Sequence, residues 1–147
     1  MSAEKLAGFL DILQDAQLLE WGMEKEDLNL KAYCPHIAKH SGKGYSSFFL
    51  VLKKVDVVSF SPWEDEQLEV TDLNEIRLLK PVIVSSEVKE DNIVQIYCQC
   101  DHLYEGGNIR IRCADVRLFD EEFNELTLQD LQVYADAYWL SETTDEE

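Results

Sequence analysis

The residue types best suited to metal chemistry in this chain are cysteines and histidines spaced two apart on two predicted strands. A strand directs every second side chain to one face, so the members of each set share a face. If the two strands meet at a common axis, four of these side chains could surround a tetrahedral zinc ion. The sequence lacks the Cys-x-x-Cys spacing of zinc knuckles, and buried cysteine also packs as a small apolar side chain. The candidate ligands are Cys34, His36, Cys98, Cys100 and His102.

A second set of candidates consists of carboxylates concentrated toward the C-terminus. No Lys or Arg follows Arg117, whereas no Asp or Glu lies between Leu28 and Val55. This polarity predicts an acidic face that attracts a basic protein surface. Trp139 is either an exposed anchor of that face or part of the rim of the core. The residues predicted to engage the partner are Asp120, Glu121, Glu122, Glu125, Asp130, Asp136 and Trp139.

No residue pattern indicates catalysis. The segment Gly42-Lys43-Gly44 lacks the remainder of a phosphate-binding loop, and no predicted helix follows it. Cys113 lies beside Arg112, but successive residues of a strand point to opposite faces, so the charge does not activate the thiol. The sequence predicts no catalytic residue and ranks an enzyme last among the possible functions.

Composition limits the kind of protein. The 147 residues and 46% hydrophobic content are typical of one domain that can bury a core without disulfides or a metal. The net charge of −17 repels nucleic acid and anionic membranes, so neither is expected as a partner. The N-terminal residues resemble no signal peptide, which predicts a cytoplasmic protein with reduced thiols.

The spacing of apolar residues predicts the elements. Residues 3–14 have helical spacing, with Leu6, Phe9, Leu10 and Leu13 on one face. Strand-like alternation over 18–23 and 28–34 predicts a hairpin, and a long strand follows over 47–60. A second amphipathic helix is predicted over 128–140, opened by Thr127 and Asp130.

The second half of the sequence repeats the plan of the first half. The matches occur in the same order over some 55 residues, which indicates an internal duplication. The alternative is that two antiparallel units resemble each other because the same physics shapes both. The matches include Lys25-Glu26-Asp27 with Lys89-Glu90-Asp91, Tyr33-Cys34 with Tyr97-Cys98, and Phe60 with Phe119.

These patterns predict an α+β fold with about six mainly antiparallel strands. Two similar β-β-β-α units, residues 18–79 and 82–140, are related by a pseudo-twofold axis, with an N-terminal and a C-terminal helix. Residues 1–140 form one domain, and 141–147 form an acidic flexible tail.

The predicted function is a protein-interaction domain that binds a basic partner. An inhibitor or immunity-type protein is one form of that function, and this interpretation is based on composition alone. The alternative is a small-ligand or zinc-binding domain with its site between the two repeats. The sequence predicts no cofactor unless zinc occupies the Cys/His set, and it is compatible with a homodimer.

Overall fold

The computed structural model describes residues 2–145, with side chains from residue 3 to residue 141. In this part of the chain, four α-helices and nine strands surround one hydrophobic core. Two short 3-10 helices lie at Lys39–Ser41 and Glu90–Asn92. The elements in chain order are α1 (Ser2–Ile12), β1 (Gln17–Glu24), β2 (Asp27–Tyr33), α2 (Pro35–Ala38), β3 (Ser47–Lys53), β4 (Val57–Pro62), α3 (Leu73–Leu78), β5 (Val82–Val88), β6 (Val94–Gln99), β7 (Gly106–Arg112), β8 (Asp115–Phe119), β9 (Glu125–Leu126) and α4 (Leu128–Asp145).

All nine strands form a single antiparallel sheet in the order β4-β7-β6-β5-β1-β2-β3-β8-β9. The first eight positions are symmetric when β1, β2, β3 and β4 are exchanged with β5, β6, β7 and β8. The centre of this symmetry is the pairing of Gln17 with Val82. Each unit also has a register shift at the same place, after Leu18 in β1 and after Ile83 in β5. The α+β class and the antiparallel pairing are therefore confirmed.

The predicted count of six strands is wrong because the last long strand of each unit is two strands, which gives eight, and because the two-residue strand β9 was not predicted. Lys54 interrupts the run 47–60 with a φ of 51°, and its N–H donates to the Asp27 carboxylate at 3.1 Å. After this turn β4 leaves β3 and pairs with β7 of the other unit. In the same way β8 leaves β7 and pairs with β3. The fourth strand of each unit thus pairs with the third strand of the other unit.

The predicted residue matches between the units are shifted. Ala32 pairs with Leu18, whereas Cys98 pairs with Ile83, so Cys98 corresponds to Ala32 and Cys100 corresponds to Cys34. The Lys-Glu-Asp match misleads because two residues join β1 to β2, whereas five residues, 89–93, join β5 to β6.

Phe60 and Phe119 do not match either. Phe60 lies opposite Ile109, and Leu118, not Phe119, occupies the corresponding place opposite Leu50. Phe60 and Leu118 are both fully buried. The corresponding core position therefore holds an aromatic side chain in one unit and an aliphatic side chain in the other.

The predicted apolar face of α1 lies in the core. Leu6, Phe9, Leu10 and Leu13 are each at most 1% exposed, and α1 packs against β5, β6, β8 and α4. Burial of one such side chain stabilises a fold by about 1.5–3 kcal/mol. This helix therefore joins strands from both units into one interior.

The C-terminal helix α4 begins with a capping box. The Thr127 hydroxyl accepts from the Asp130 N–H at 3.0 Å, and the Asp130 carboxylate accepts from the Thr127 N–H at 2.9 Å. The helix continues through Asp145, so it includes residues 141–145 of the segment that the sequence assigns to a flexible tail. Residues 1, 146 and 147 lie outside the described residues. Among the described helices, none has the length and apolar character needed to cross a membrane.

Candidate functional site

The cysteines and histidines proposed as metal ligands lie at two separate places. Cys34 and His36 follow β2, with Cys34 Sγ 3.6 Å from His36 Nε2, whereas Cys100 and His102 follow β6. Two strands separate β2 from β6 in the sheet, a span of about 14 Å at ~4.8 Å per strand. Because β2 and β6 run in opposite directions, their C-terminal ends also lie at opposite ends of the sheet along the strand direction. Within residues 2–145, no three His, Cys, Asp or Glu side chains form a group that could hold a metal ion.

The thiols are poor nucleophiles. Burial raises the pKa of Cys34 to about 12 and, with the charge of Asp101, the pKa of Cys100 to about 11. Burial also raises the pKa of Cys113 to about 11, with contributions from nearby carboxylates. A thiol with such a pKa stays protonated at neutral pH, whereas the thiolate is the reactive form. These cysteines therefore act as small core side chains.

Two of the predicted partner-binding carboxylates stabilise a loop of the chain itself. The Asp120 side chain is 6% exposed and accepts from the backbone N–H groups of Glu122 and Asn124, each at 2.9 Å. Desolvation raises the pKa of Asp120, but the hydrogen bonds from Asn124 and Glu122 outweigh it and lower the pKa overall. Glu121 accepts from the Ser46 N–H at 2.7 Å. This part of the acidic set therefore holds the β8–β9 turn in place.

The other predicted residues of that set lie on or near α4. Asp130 belongs to the capping box, and Asp136 accepts from Gln132 Nε2 at 2.9 Å. Glu122 and Glu125 are exposed. Trp139 is 63% exposed and packs edge-on against Tyr138, with the ring centroids 5.0 Å apart. The structure thus spreads the C-terminal candidates along a turn and one helix.

A different surface combines exposed apolar side chains with carboxylates. It is formed by α3, the segment before it, and the β6–β7 loop (residues 100–105). Leu103 is 72% exposed, Leu78 53%, Trp63 45% and Leu68 40%, and Tyr104 packs on Phe60 with the ring centroids 6.0 Å apart. Large apolar side chains exposed together are typical of interaction sites. We define the α3–hairpin surface as Trp63, Leu68, Leu78, Leu103 and Tyr104.

One concavity of the α3–hairpin surface is an apolar groove of about 330 Å³. It lies between α3 and the β6–β7 loop, and its two most exposed apolar side chains are Leu78 and Leu103. Ile76 and Leu79 anchor α3 to the core, being 0% and 3% exposed. The lining residues are Leu68, Val70, Glu75, Leu78, Leu79, His102, Leu103 and Tyr104.

The adjoining concavity is an acidic pocket of about 680 Å³ that shares His102, Leu103 and Tyr104 with the groove. Glu64, Asp101 and Glu105 are among its lining residues. Among the described side chains, no Lys or Arg lines either concavity. The carboxylates attract cations by their negative charge, and the face of an adjacent indole ring adds a cation–π contribution.

Trp63 has a defined position in the acidic pocket. Its indole N–H donates to Asn108 Oδ1 at 2.9 Å. Its ring lies close over Gly106, where an added Cβ would be 2.5 Å from the ring and 2.5 Å from the Cys98 carbonyl oxygen. Glycine at position 106 therefore makes room for the ring. The pocket wall is preorganised by β7.

Hydrogen bonds fix the end positions of α3 and the start of the β6–β7 loop. Asp72 caps α3 by accepting from Asn74 N–H at 2.8 Å. The Asp101 N–H donates to the Leu79 carbonyl at 3.1 Å. Gln17 Nε2 donates to the Asp101 carboxylate at 2.9 Å. The bond between Asp101 and Leu79 therefore joins the end of α3 directly to the β6–β7 loop.

Leu103 has an unfavourable backbone conformation for its residue type. Its φ is 71°, in the left-handed region, which costs an L-residue with a bulky side chain roughly 1–2 kcal/mol. Since the side chain is 72% exposed, burial regains little of that cost. Strain at an exposed apolar residue is typical of binding loops.

Comparison with protein-family models, with curated proteins and with solved structures finds no match to this chain. Function is therefore inferred from the chemistry of its surfaces. The site residues predicted from the sequence include none of Trp63, Leu78 and Leu103. The dipeptide Leu78-Leu79 and the tripeptide His102-Leu103-Tyr104 are ordinary core patterns in sequence, and only the pairing of β4 with β7 shows that they meet.

Proposed function

We propose that this chain is a protein-interaction domain whose α3–hairpin surface binds a basic region of a partner protein. The observation that carries the proposal is the apolar groove beside the acidic pocket, joined at the strained and exposed Leu103. An apolar centre with a polar rim is the usual anatomy of a protein interface.

The geometry favours a macromolecular partner over a small ligand. Sites for small molecules enclose most of the ligand surface. Leu68, Leu78 and Leu103 instead project from the surface, each at least 40% exposed. Such side chains gain most by covering a second protein surface, because their burial removes apolar area from water.

The electrostatics favour a basic partner. The segment 63–72 before α3 carries five carboxylates and no Lys or Arg, and three further carboxylates of the two concavities are Glu75, Asp101 and Glu105. The chain as a whole carries a net charge of −17. Such a field accelerates association with a cationic partner and weakens as ionic strength rises. An inhibitor of the immunity type, which masks a basic toxin or nuclease, is one form of this function.

The C-terminal carboxylates and Trp139 provide the competing location for the same function. Asp120 is only 6% exposed and is therefore poorly accessible to a partner, which favours the α3–hairpin surface as the primary contact. The proposal keeps the cytoplasmic location that the sequence predicts for the interaction.

The experiment is capture of partners by immobilised protein from cells that express it, at low and high ionic strength. The test variant is Leu103→Asp, and the matched control is Val133→Asp, because Val133 is a 59% exposed apolar residue on α4. The wild type and Val133→Asp should retain a basic protein that high salt releases, and Leu103→Asp should lose it. Equal retention by Leu103→Asp contradicts the site, and retention that ignores salt contradicts the basic partner. If Trp139→Ala is the only variant that fails to retain the basic protein, the contact lies on α4.

A further inference from the structure

The Trp63 ring of the acidic pocket is fixed at both ends. Its N–H end is bonded to Asn108, and the opposite end of the indole, Cζ3 and Cη2, lies against Gly106. The backbone N–H of Trp63 also donates to the Gly106 carbonyl oxygen at 3.1 Å. Trp63 nevertheless remains 45% exposed. The exposed part of the ring therefore includes its π face, held in one orientation beside the pocket.

Two carboxylates of the pocket adjoin this pair of residues in the chain. Glu64 follows Trp63 and Glu105 precedes Gly106, and both side chains line the pocket. Among the described side chains, neither carboxylate forms an ion pair or a hydrogen bond. The pocket thus combines a fixed aromatic face with acceptors that the chain itself does not satisfy.

The corresponding place in the other unit is filled differently. Because Leu118 corresponds to Phe60, the residue that corresponds to Trp63 is Glu121. Glu121 accepts a hydrogen bond from the Ser46 N–H at 2.7 Å, so its side chain serves an internal contact. The duplicated fold therefore does not require an indole ring at this place, which favours a binding role for Trp63.

We infer that the acidic pocket binds the guanidinium group of an arginine side chain of the partner. The planar group stacks on the Trp63 ring and donates hydrogen bonds to Glu64 and Glu105. A guanidinium stacks on aromatic faces and presents a fork of N–H donors that matches carboxylates, whereas a lysine ammonium is a compact and strongly hydrated charge. This inference rests on the proposed function and specifies the group by which the basic region is recognised.

Two other concavities of the surface are less suited to this ligand. One, of about 620 Å³, is lined by Lys89 and Arg110, which repel a cation. Another, of about 300 Å³, contains Trp139 and carboxylates, and no Lys or Arg is among its described lining residues. One of those carboxylates, Asp11, already accepts from the Ser86 hydroxyl at 3.1 Å. Trp139 is therefore the ring that competes with Trp63 for a cation.

The test is an NMR titration with N-acetyl-arginine N-methylamide as the probe, followed at the indole N–H signals of Trp21, Trp63 and Trp139. The probe should shift the Trp63 signal to saturation and leave the other two signals unchanged. The corresponding lysine compound should bind about two- to fivefold more weakly, because it loses the stacking on an exposed ring. Free arginine should also bind more weakly than the probe, because the carboxylates of the pocket repel its α-carboxylate.

A pair of double variants separates the pocket from the net charge of the chain. Glu64→Gln with Glu105→Gln should weaken binding of the arginine probe about tenfold, because hydrogen bonds to charged acceptors are lost while the side-chain shape is kept. The matched control is Glu122→Gln with Glu125→Gln, which removes the same charge at two exposed positions outside the pocket. The control should bind the probe as the wild type does.

Several results overturn the inference. They are no saturable shift of the Trp63 signal, a shift of the Trp139 signal instead, equal binding of the arginine and lysine compounds, tighter binding of free arginine, and equal weakening by the two double variants. The capture experiment tests the proposed function separately. Capture of a basic protein that Leu103→Asp loses, without a preference for arginine, means that the surface binds its partner by other groups. Binding of the probe without any captured protein supports the pocket and contradicts the proposed function.

Discussion

The exposed Leu103 provides a test that separates stability from binding. Asparagine tolerates a positive φ much better than leucine, so Leu103→Asn should relieve much of the roughly 1–2 kcal/mol of backbone strain. The wild-type side chain is 72% exposed, so just over a quarter of its surface is buried. Since full burial is worth about 2 kcal/mol, the lost contacts cost only about 0.5 kcal/mol. Leu103→Asn should therefore raise the free energy of unfolding by about 0.5–1 kcal/mol while it abolishes partner binding.

The assay is urea unfolding of the wild type, Leu103→Asn and Leu103→Ala. Alanine removes the same apolar contacts but keeps most of the steric cost of a positive φ, so it should be about 0.5 kcal/mol less stable than the wild type. A gain for Asn together with a loss for Ala identifies backbone strain as the cause. If Leu103→Asn is destabilised as much as Leu103→Ala, Leu103 is not strained and the functional reading of its conformation is refuted.

Three further predictions concern the scaffold, each measured by urea unfolding. Gly107→Ala should lower the free energy of unfolding by about 2 kcal/mol or more, because the added Cβ would lie 2.4 Å from the Phe60 ring. The control Gly22→Ala, whose Cβ would have nothing within 4 Å, should be neutral or slightly stabilising. Equal effects of the two substitutions contradict the packing at β7. Thr127→Ala should lower the free energy of unfolding by about 1 kcal/mol, because it removes the capping box of α4. An unchanged free energy of unfolding would show that this helix end does not need its cap. Because the pKa of Asp120 is lowered in the folded state, its stabilisation is present above about pH 4 and is lost as the pH falls further. Asp120→Asn should therefore show a smaller loss of stability than the wild type between about pH 5 and 3, and an identical loss contradicts the role of this carboxylate.

Local patterns in the sequence predicted the parts of the fold that depend on local spacing. The α1 stripe of Leu6, Phe9, Leu10 and Leu13 follows from helical periodicity, and the β1–β2 hairpin follows from alternation of polar and apolar residues. The Thr127–Asp130 capping box is also a local pattern. In each case the side chains that decide the structure lie within a few residues of each other.

The exchange of β4 and β8 between the units depends on contacts that the sequence does not show. Val57 reaches its partner Arg112 only because the chain turns at Lys54, and a positive φ at a lysine has no sequence signature. The candidate zinc set failed for a related reason. Because the sheet is antiparallel about its centre, the C-terminal ends of β2 and β6 lie at opposite ends of the sheet along the strand direction. Cys34 and Cys100 therefore cannot meet.

The α3–hairpin surface could not be predicted from the sequence either. Leu78 and Leu103 are 25 residues apart in the chain and belong to different units. They line one groove only because β4 carries α3 to the hairpin of the other unit. By contrast, the acidic character of this surface agrees with the composition, since the excess of carboxylates is spread over much of the sequence.

The most direct test of the binding surface is site-specific photo-crosslinking in cells that express the protein. A photoreactive amino acid is placed at Leu78, which is 53% exposed beside the groove, or at Val133, which occupies the corresponding position on α4 and is 59% exposed. The account predicts a covalent adduct with a basic protein from position 78 and none from position 133. An adduct from position 133 alone, or no adduct from position 78 when the partner is present, would contradict it.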